Sequence, residues 1–172
     1  MNEHKMFETI SSAKKDFGIK CTKFVGAITV ETIKRALENH NIFTSPRDVF
    51  IKGIPIEIDL LIHKRGVVPD NGILYKSQDV IAVLEIKNLG SFGETTVNNI
   101  KKNFQRIKQL NNKIYCIYVT LTERKGYRWA ISEENIGFPS YTLFWYYGSG
   151  KNYKIEPTGD WKKLLEDINK LN

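Results

Sequence analysis

The stretch VIAVLEIKN, residues 80 to 88, constrains the fold of this chain more than any other. Its five leading apolar residues are typical of a buried strand, yet Glu85 and Lys87 follow at once. Burying a charge is costly unless the charge is paired, hydrated or bound to a metal. Alternation along a strand puts Glu85 and Lys87 on one face together with Ile81, and Val80 on the other. We therefore expect a central strand, apolar on both faces, that holds two charged groups at the rim of a sheet.

The preceding segment, residues 49 to 63, has a period of two. Its apolar residues from Ile54 to Ile62 share one face, and the acids Glu57 and Asp59 share the other. The Gly53-Ile54-Pro55 sequence indicates a turn or bulge, which makes this segment a hairpin with a short first arm. Acids from two neighbouring strands are therefore expected to converge.

The remaining pattern predicts an α/β or α+β domain with a central mixed β-sheet flanked by helices. Helices are expected in the first forty residues, after the VIAVLEIKN strand and at the C-terminus. A further strand is expected at KIYCIYVTL and a hairpin at YTLFWYYGSGKNYKIE. No repeat or linker interrupts the chain, so we expect one domain over residues 1–172. Its core would span about 20–121, and a C-terminal hairpin and helix would follow at 141–172.

Composition excludes several classes of protein. There is no run of about 18 apolar residues and no signal-peptide pattern, which predicts no membrane association and a cytoplasmic location. Cys21 and Cys116 are far apart and belong to no C-x-x-C pair, which argues against structural zinc and a disulfide framework.

Positive charge is concentrated in one segment. The chain carries a net charge of +7, and residues 101–128 contain eight lysines and arginines against one acid, Glu123. This distribution predicts a basic surface that binds the phosphates of a nucleic acid. The residues we expect to contact DNA are Lys101, Lys102, Gln105, Arg106, Lys108, Arg124 and Lys125.

The converging acids have a chemical use. Neighbouring carboxylates repel each other unless a cation neutralises them, and oxygen-rich sites suit Mg²⁺, for which Mn²⁺ can substitute. A metal held there can activate water and polarise a phosphoryl oxygen. A lysine two residues along can orient that water or offset transition-state charge. Asp59, Glu85 and Lys87 thus supply the parts for metal-assisted phosphodiester hydrolysis.

The pair IEIDLLI and VIAVLEIKN resembles the PD-(D/E)xK nuclease superfamily, which has a restriction-endonuclease-like fold. The resemblance implies an αβββαβ core, a metal held by Asp59 and Glu85, and a catalytic Lys87. It also implies an acid on the first core helix, for which Glu31 is the best-placed match. Some members carry a catalytic glutamine or lysine on the helix after the E-x-K strand, and Gln105 lies there.

The chain departs from the usual superfamily motif in two ways. The usual Pro-Asp pair is missing, since Pro55 lies four residues before Asp59, and twenty-five residues separate Asp59 from Glu85. Glu57 is an alternative to Asp59. Pro69-Asp70 is a literal Pro-Asp pair, but it lies in a turn-rich loop and ranks below Asp59. An acid-x-Lys spacing occurs four times in the chain. Only that of Glu85 ends a buried-type strand preceded by another strand with an inward acid, so context carries the inference.

Two functions of different classes follow from this sequence. The first is a Mg²⁺-dependent endodeoxyribonuclease, restriction-like or repair-related, which would favour a homodimer if both strands of a duplex are cut. The second is a non-catalytic DNA-binding module or subunit that kept the nuclease fold. A weaker third reading is a structural protein whose basic face contacts a partner protein.

Overall fold

A computed structural model describes residues 3–17, 22–90, 94–125, 132–147 and 154–171. The helices of these ranges are α1 (Glu3–Phe17), α2 (Thr22–Glu38), α3 (Glu94–Leu110), α4 (Glu133–Ile136) and α5 (Asp160–Asn169). The strands are β1 (Phe50–Ile51), β2 (Leu60–His63), β3 (Leu74–Tyr75), β4 (Val80–Gly90), β5 (Tyr115–Arg124), β6 (Ser140–Tyr147) and β7 (Lys154–Pro157).

Five strands form one mixed sheet in the order β2-β4-β5-β6-β7. The pairs β4–β5 and β5–β6 are parallel, whereas the outer pairs β2–β4 and β6–β7 are antiparallel. The predicted α+β class with a central mixed sheet is confirmed. The predicted C-terminal hairpin is confirmed as β6 and β7, and its tip, at 148–153, lies outside the described residues.

Helices cover the sheet on both sides, and each side has its own apolar cluster. On the α2 face, residues of α1, α2 and α5 pack against Leu84, Ile86 and Val119. On the α3 face, residues of α3 and α4 pack against Val83 and Tyr118. Strands β4 and β5 lie inside the strand order and contribute to both clusters, so both of their faces are covered. Among the described residues, no helix is both long and apolar enough to cross a membrane.

Strand β4 has the predicted central position, but its first two residues face the opposite sides of the sheet from those that alternation predicts. Ala82, Leu84 and Ile86 lie on the α2 face as expected, whereas Val80 packs on the α3 face and Ile81 on the α2 face. The register explains this correction: Ile62 pairs with Ala82 but His63 pairs with Val80, so Ile81 is an extra residue in a bulge. Strict alternation resumes before Glu85.

The segment before β2 is a bend rather than the continuous strand that its period of two predicts. Val49 and Ile58 form one antiparallel bridge with both backbone hydrogen bonds, 2.9 and 3.1 Å, so the predicted hairpin is reduced to a single pair. Gly53 has φ +99, and Pro55 has no N–H to donate to a ladder. The neighbouring β1 instead pairs in parallel with β3, in a separate two-stranded sheet.

Candidate metal site

Asp59 lies where the bend ends and β2 begins. The antiparallel register pairs Leu60 with Leu84, which brings Asp59 next to Glu85 on the adjacent strand. Leu60 and Leu84 form the last pair of the β2–β4 ladder. The next N–H of β4 on this side, that of Ile86, donates instead to the Asp59 side chain, at Oδ2 and 2.7 Å. This bond fixes the carboxylate at the open edge of β4. The predicted convergence of the two acids is thus a result of strand register.

Lys87 joins the two carboxylates. Its Nζ lies 2.5 Å from Glu85 Oε1 and 3.3 Å from Asp59 Oδ2. The side chains of Asp59 and Glu85 are 23% exposed and that of Lys87 is 31% exposed, so solvent reaches the group but screens it only in part. The sequence suggested that Glu85 and Lys87 lie at the end of a strand. In the structure β4 continues to Gly90, so both residues lie within the strand.

The charges of the group shift one another's protonation. Burial raises the pKa of Glu85, the charge of Asp59 raises it further, and Lys87 opposes both. Burial lowers the pKa of Lys87, but the charges of Glu85 and Asp59 and their hydrogen bonds outweigh burial, so the pKa lies above its usual range. Lys87 is therefore a protonated donor at neutral pH.

The donor set suits a hard divalent cation. Asp59 Oδ1 has no hydrogen-bond partner among the described residues, and the repulsion that raises the Glu85 pKa is the kind that a cation relieves. Within the described ranges no three His, Cys, Asp or Glu side chains gather into a metal-holding group. Two carboxylates are enough for Mg²⁺, which usually keeps several waters and takes substrate phosphate oxygens as further ligands. Asp59 and Glu85 thus fit Mg²⁺ or Mn²⁺ and do not fit a structural zinc site.

A small cleft opens beside Glu85. The bend contributes Glu57, β4 contributes Glu85, and α3 contributes Asn103 and Phe104 to its walls. Glu57 is exposed, and its charge adds to the rise in the Glu85 pKa. The cleft therefore extends the negative potential of the group toward α3.

Among the described residues, Glu31 makes no hydrogen bond or ion pair with this group. Its Oε1 accepts a hydrogen bond from Arg35 Nε at 3.0 Å, and its side chain is 37% exposed. Helix α2 packs on the face of the sheet opposite to Val83 and Glu85. The role implied for Glu31 remains a prediction.

The expected DNA-contacting residues are on α3 and at the end of β5. Lys102, Gln105, Arg106, Arg124 and Lys125 are exposed, while Lys101 and Lys108 are half-buried. Lys108 Nζ donates to the Asn112 carbonyl at 2.7 Å, so its charge is partly engaged. Lys125 Nζ lies 5.5 Å from the centre of the Tyr147 ring. In the described part of the chain, Gln105 makes no hydrogen bond with Glu85 or Lys87.

Glu123, the one acid of the basic segment, does little to offset this charge. Glu123 is 1% exposed, and burial raises its pKa to about 7. The Arg124 N–H donates a hydrogen bond to Glu123 Oε1 at 2.9 Å, which lowers the pKa but does not cancel the effect of burial. A carboxyl group of this kind is partly neutral near pH 7. The exposed surface is therefore more positive than the sequence count indicates.

Sequence reasoning missed two residues near the site. Asn103 lies on the apolar stripe formed by Ile100, Phe104 and Ile107, and a polar residue in such a stripe is a readable signal. Tyr118 pairs directly with Glu85 across β4 and β5, is 1% exposed, and has a hydroxyl without a hydrogen-bond partner in the described structure. Only the strand register reveals this second residue.

Solved structures of NucC share the fold of this chain. The cAAA-bound form of NucC from P. aeruginosa ATCC27853 has a TM-score of 0.68 at 11% identity, over 99% of this chain and 88% of that chain. The cAAA-bound form from E. coli MS115-1 has 0.67 at 12%, over 99% and 88%. Its apo form has 0.58 at 12%, over 100% and 93%. At such identities the likeness establishes a shared fold alone. No protein-family model matches the chain, and no curated protein matches it in sequence.

Proposed function

We propose that this protein is a metal-dependent endonuclease that hydrolyses DNA phosphodiester bonds. The observation that carries the proposal is the joining of Asp59, Glu85 and Lys87 at the open edge of β4, with Lys87 Nζ 2.5 and 3.3 Å from the two carboxylates. The fold shared with the NucC structures supports it. We further propose that the whole chain acts as one catalytic domain in the cytoplasm and that it dimerises to cut both strands.

The two carboxylates would hold Mg²⁺ or Mn²⁺, which supplies water activation and stabilisation of negative charge on the phosphate. The backbone N–H of Ile86 keeps Asp59 in place at 2.7 Å, so one ligand is oriented before any metal arrives. Glu85 is held by β4 itself. Preorganised ligands of this kind lower the cost of assembling the reacting groups.

In this mechanism Lys87 acts as a charged donor. In the metal-free protein the charges of Glu85 and Asp59 raise its pKa and keep the ammonium protonated at neutral pH. It can orient the attacking water and offset charge that develops on the phosphoryl oxygens. The exposed basic residues of α3 and of the end of β5 would hold the phosphates on either side.

A second function has one observation in its favour. Lys87 already neutralises much of the charge of Asp59 and Glu85, as a structural ion triad would, and the basic surface needs no metal to bind DNA. A non-catalytic DNA-binding module would use the same fold in this way. It predicts salt-sensitive DNA binding without cleavage.

Cleavage assays separate the two functions. Supercoiled, linear, single-stranded and junction DNA would each be incubated with the protein in Mg²⁺, Mn²⁺ or EDTA. We expect metal-dependent cleavage that falls by about 100-fold or more in Asp59→Asn and Lys87→Met. Lys162→Met, another acid-x-Lys lysine whose side chain is 85% exposed, is the matched control and should cleave normally. Binding without cleavage in every metal would reject the nuclease.

Glu31→Gln and Gln105→Ala test the two residues that the family resemblance alone implies. Either variant would cleave more slowly, with unchanged DNA affinity, if its side chain acts in the site. Cleavage at the normal rate would remove that residue from the mechanism and leave Asp59, Glu85 and Lys87 in place. Circular dichroism would verify that each variant is folded.

A further inference from the structure

Tyr118 is a polar residue near the site that the proposed mechanism does not use. The parallel register pairs it directly with Glu85, and paired residues on neighbouring strands share a face of the sheet. Its ring packs in the apolar cluster on the α3 face with Val83 and Phe104. The side chain therefore lies beside Glu85, under helix α3.

The hydroxyl of Tyr118 is in an unusual state. The residue is 1% exposed, and Oη has no hydrogen-bond partner in the described part of the chain. Buried polar groups are nearly always paired, so an unpaired one needs an explanation, such as an acceptor that arrives with a bound ion or water. A phenylalanine would fill the same space without this cost.

The charges near this hydroxyl indicate which acceptor is available. Burial is the main cause that raises the pKa of Tyr118; the neighbouring Thr120 side chain opposes the rise, and the charges of Glu123, Glu85 and Asp59 add to it. The hydroxyl is therefore protonated throughout the neutral range and close enough to the site carboxylates to sense them. It is a neutral donor within range of the charge of both carboxylates.

Lys87 explains why the pairing is not made in the metal-free protein. Its ammonium lies 2.5 Å from Glu85 Oε1 and is the one side-chain donor to Glu85 among the described residues. A divalent cation held by Asp59 and Glu85 would repel this ammonium and weaken its contact with Glu85. If that contact breaks, Glu85 loses its donor. A neutral hydroxyl can replace it without competing with the cation's charge.

We propose that Tyr118 is a positioning residue of the site, whose hydroxyl donates to the Glu85 carboxylate, directly or through one water, once Lys87 has released it. This inference rests on the proposed function, because it assumes that Asp59 and Glu85 hold the metal. In this role Tyr118 would contact neither DNA nor the reacting atoms. It fixes the orientation of a ligand.

The test compares Tyr118→Phe with Tyr115→Phe, a substitution in the same strand at a residue that is 39% exposed. Isothermal titration with Mn²⁺ should show about tenfold weaker binding for Tyr118→Phe and no change for Tyr115→Phe. The metal-free melting temperature of Tyr118→Phe should stay the same or rise, because the unpaired hydroxyl is gone. The Mg²⁺ concentration for half-maximal cleavage should rise by the same factor as the dissociation constant.

Each other outcome has a definite meaning. The inference is overturned if Tyr118→Phe and the unchanged chain bind Mn²⁺ with equal affinity, whatever the metal-free melting temperature. The nuclease proposal would still stand. If the unchanged chain binds Mn²⁺ but cleaves no DNA, the nuclease proposal fails, and the affinity comparison still decides the role of Tyr118. If it neither binds Mn²⁺ nor cleaves, both are rejected.

Discussion

Replacing Lys87 by methionine should weaken folding and strengthen metal binding at once. The substitution keeps most of the apolar stem and removes the ammonium that lies 2.5 Å from Glu85 and 3.3 Å from Asp59. Breaking a fully buried ion pair costs about 3–5 kcal/mol, and breaking an exposed one about 0–1 kcal/mol. With the ammonium side chain 31% exposed and its partners 23% exposed, we expect an intermediate loss, about 2 kcal/mol.

Thermal unfolding in EDTA measures this loss. For a chain of this size, about 2 kcal/mol corresponds to a melting temperature lower by about 4–8 °C. Lys162→Met is the control, since its side chain is 85% exposed and its contact with Glu166 spans 3.8 Å. It should melt within about 2 °C of the unchanged chain.

The second half of the prediction concerns the binding of Mn²⁺ to Lys87→Met. Without the ammonium, Asp59 and Glu85 carry uncompensated charge, so Mn²⁺ should bind Lys87→Met more tightly and raise its melting temperature more than that of the unchanged chain. Cleavage should nevertheless be lost. A Lys87→Met protein that is as stable as the unchanged chain in EDTA, and gains no more from Mn²⁺, would refute the reasoning.

Three further predictions concern parts of the protein outside the metal group. The folded-state pKa of Glu123 is about 7, above its ordinary 4.5, so its stabilising effect is present below pH 4.5 and is lost as the pH rises toward 7. Urea unfolding of Glu123→Gln should show a gain of at most about 3 kcal/mol at pH 8 and little change near pH 4.5. Replacing Lys102 and Arg106 by alanine should reduce the slope of log affinity against log salt by about 2 in DNA-binding titrations, whereas Lys162→Ala should leave it unchanged. Phe104→Ala should lower the free energy of unfolding by about 3–5 kcal/mol in urea, because its ring is 3% exposed and packs on the α3 face.

The sequence could predict the parts of the fold that depend on short-range pattern. The apolar run of β4 predicted a central strand, and the stripe of α3 predicted one buried face, because burial on a regular element repeats with its period. Asp59 and Glu85 could be expected to meet because the pattern put each acid on a known face of one of two successive predicted strands. The faces follow from the residues of each segment alone.

The rest depends on how elements pair. The bulge at Ile81 arises from the register with β2, and the bend before Asp59 replaces a strand that alternation alone supports. Tyr118 neighbours Glu85 only because β4 and β5 pair in one particular parallel register, with helix α3 between them in the chain. A tyrosine inside an apolar run gives no local sign that it lies beside a carboxylate.

The register of β2 and β4 also separates the geometry of the acids from the length of chain between them. Leu60 and Leu84 form the last pair of the ladder, and Asp59 and Glu85 follow directly on either strand. Residues 64 to 73 leave the ladder after β2 and form the loop before β3, which belongs to the separate two-stranded sheet, and they account for much of the long interval between the two acids. Lengthening or shortening this excursion would change the spacing that a motif search counts without moving either carboxylate. The distance between the two acids along the chain is therefore a property of a surface loop, and pattern searches that fix it would pass over proteins built in the same way.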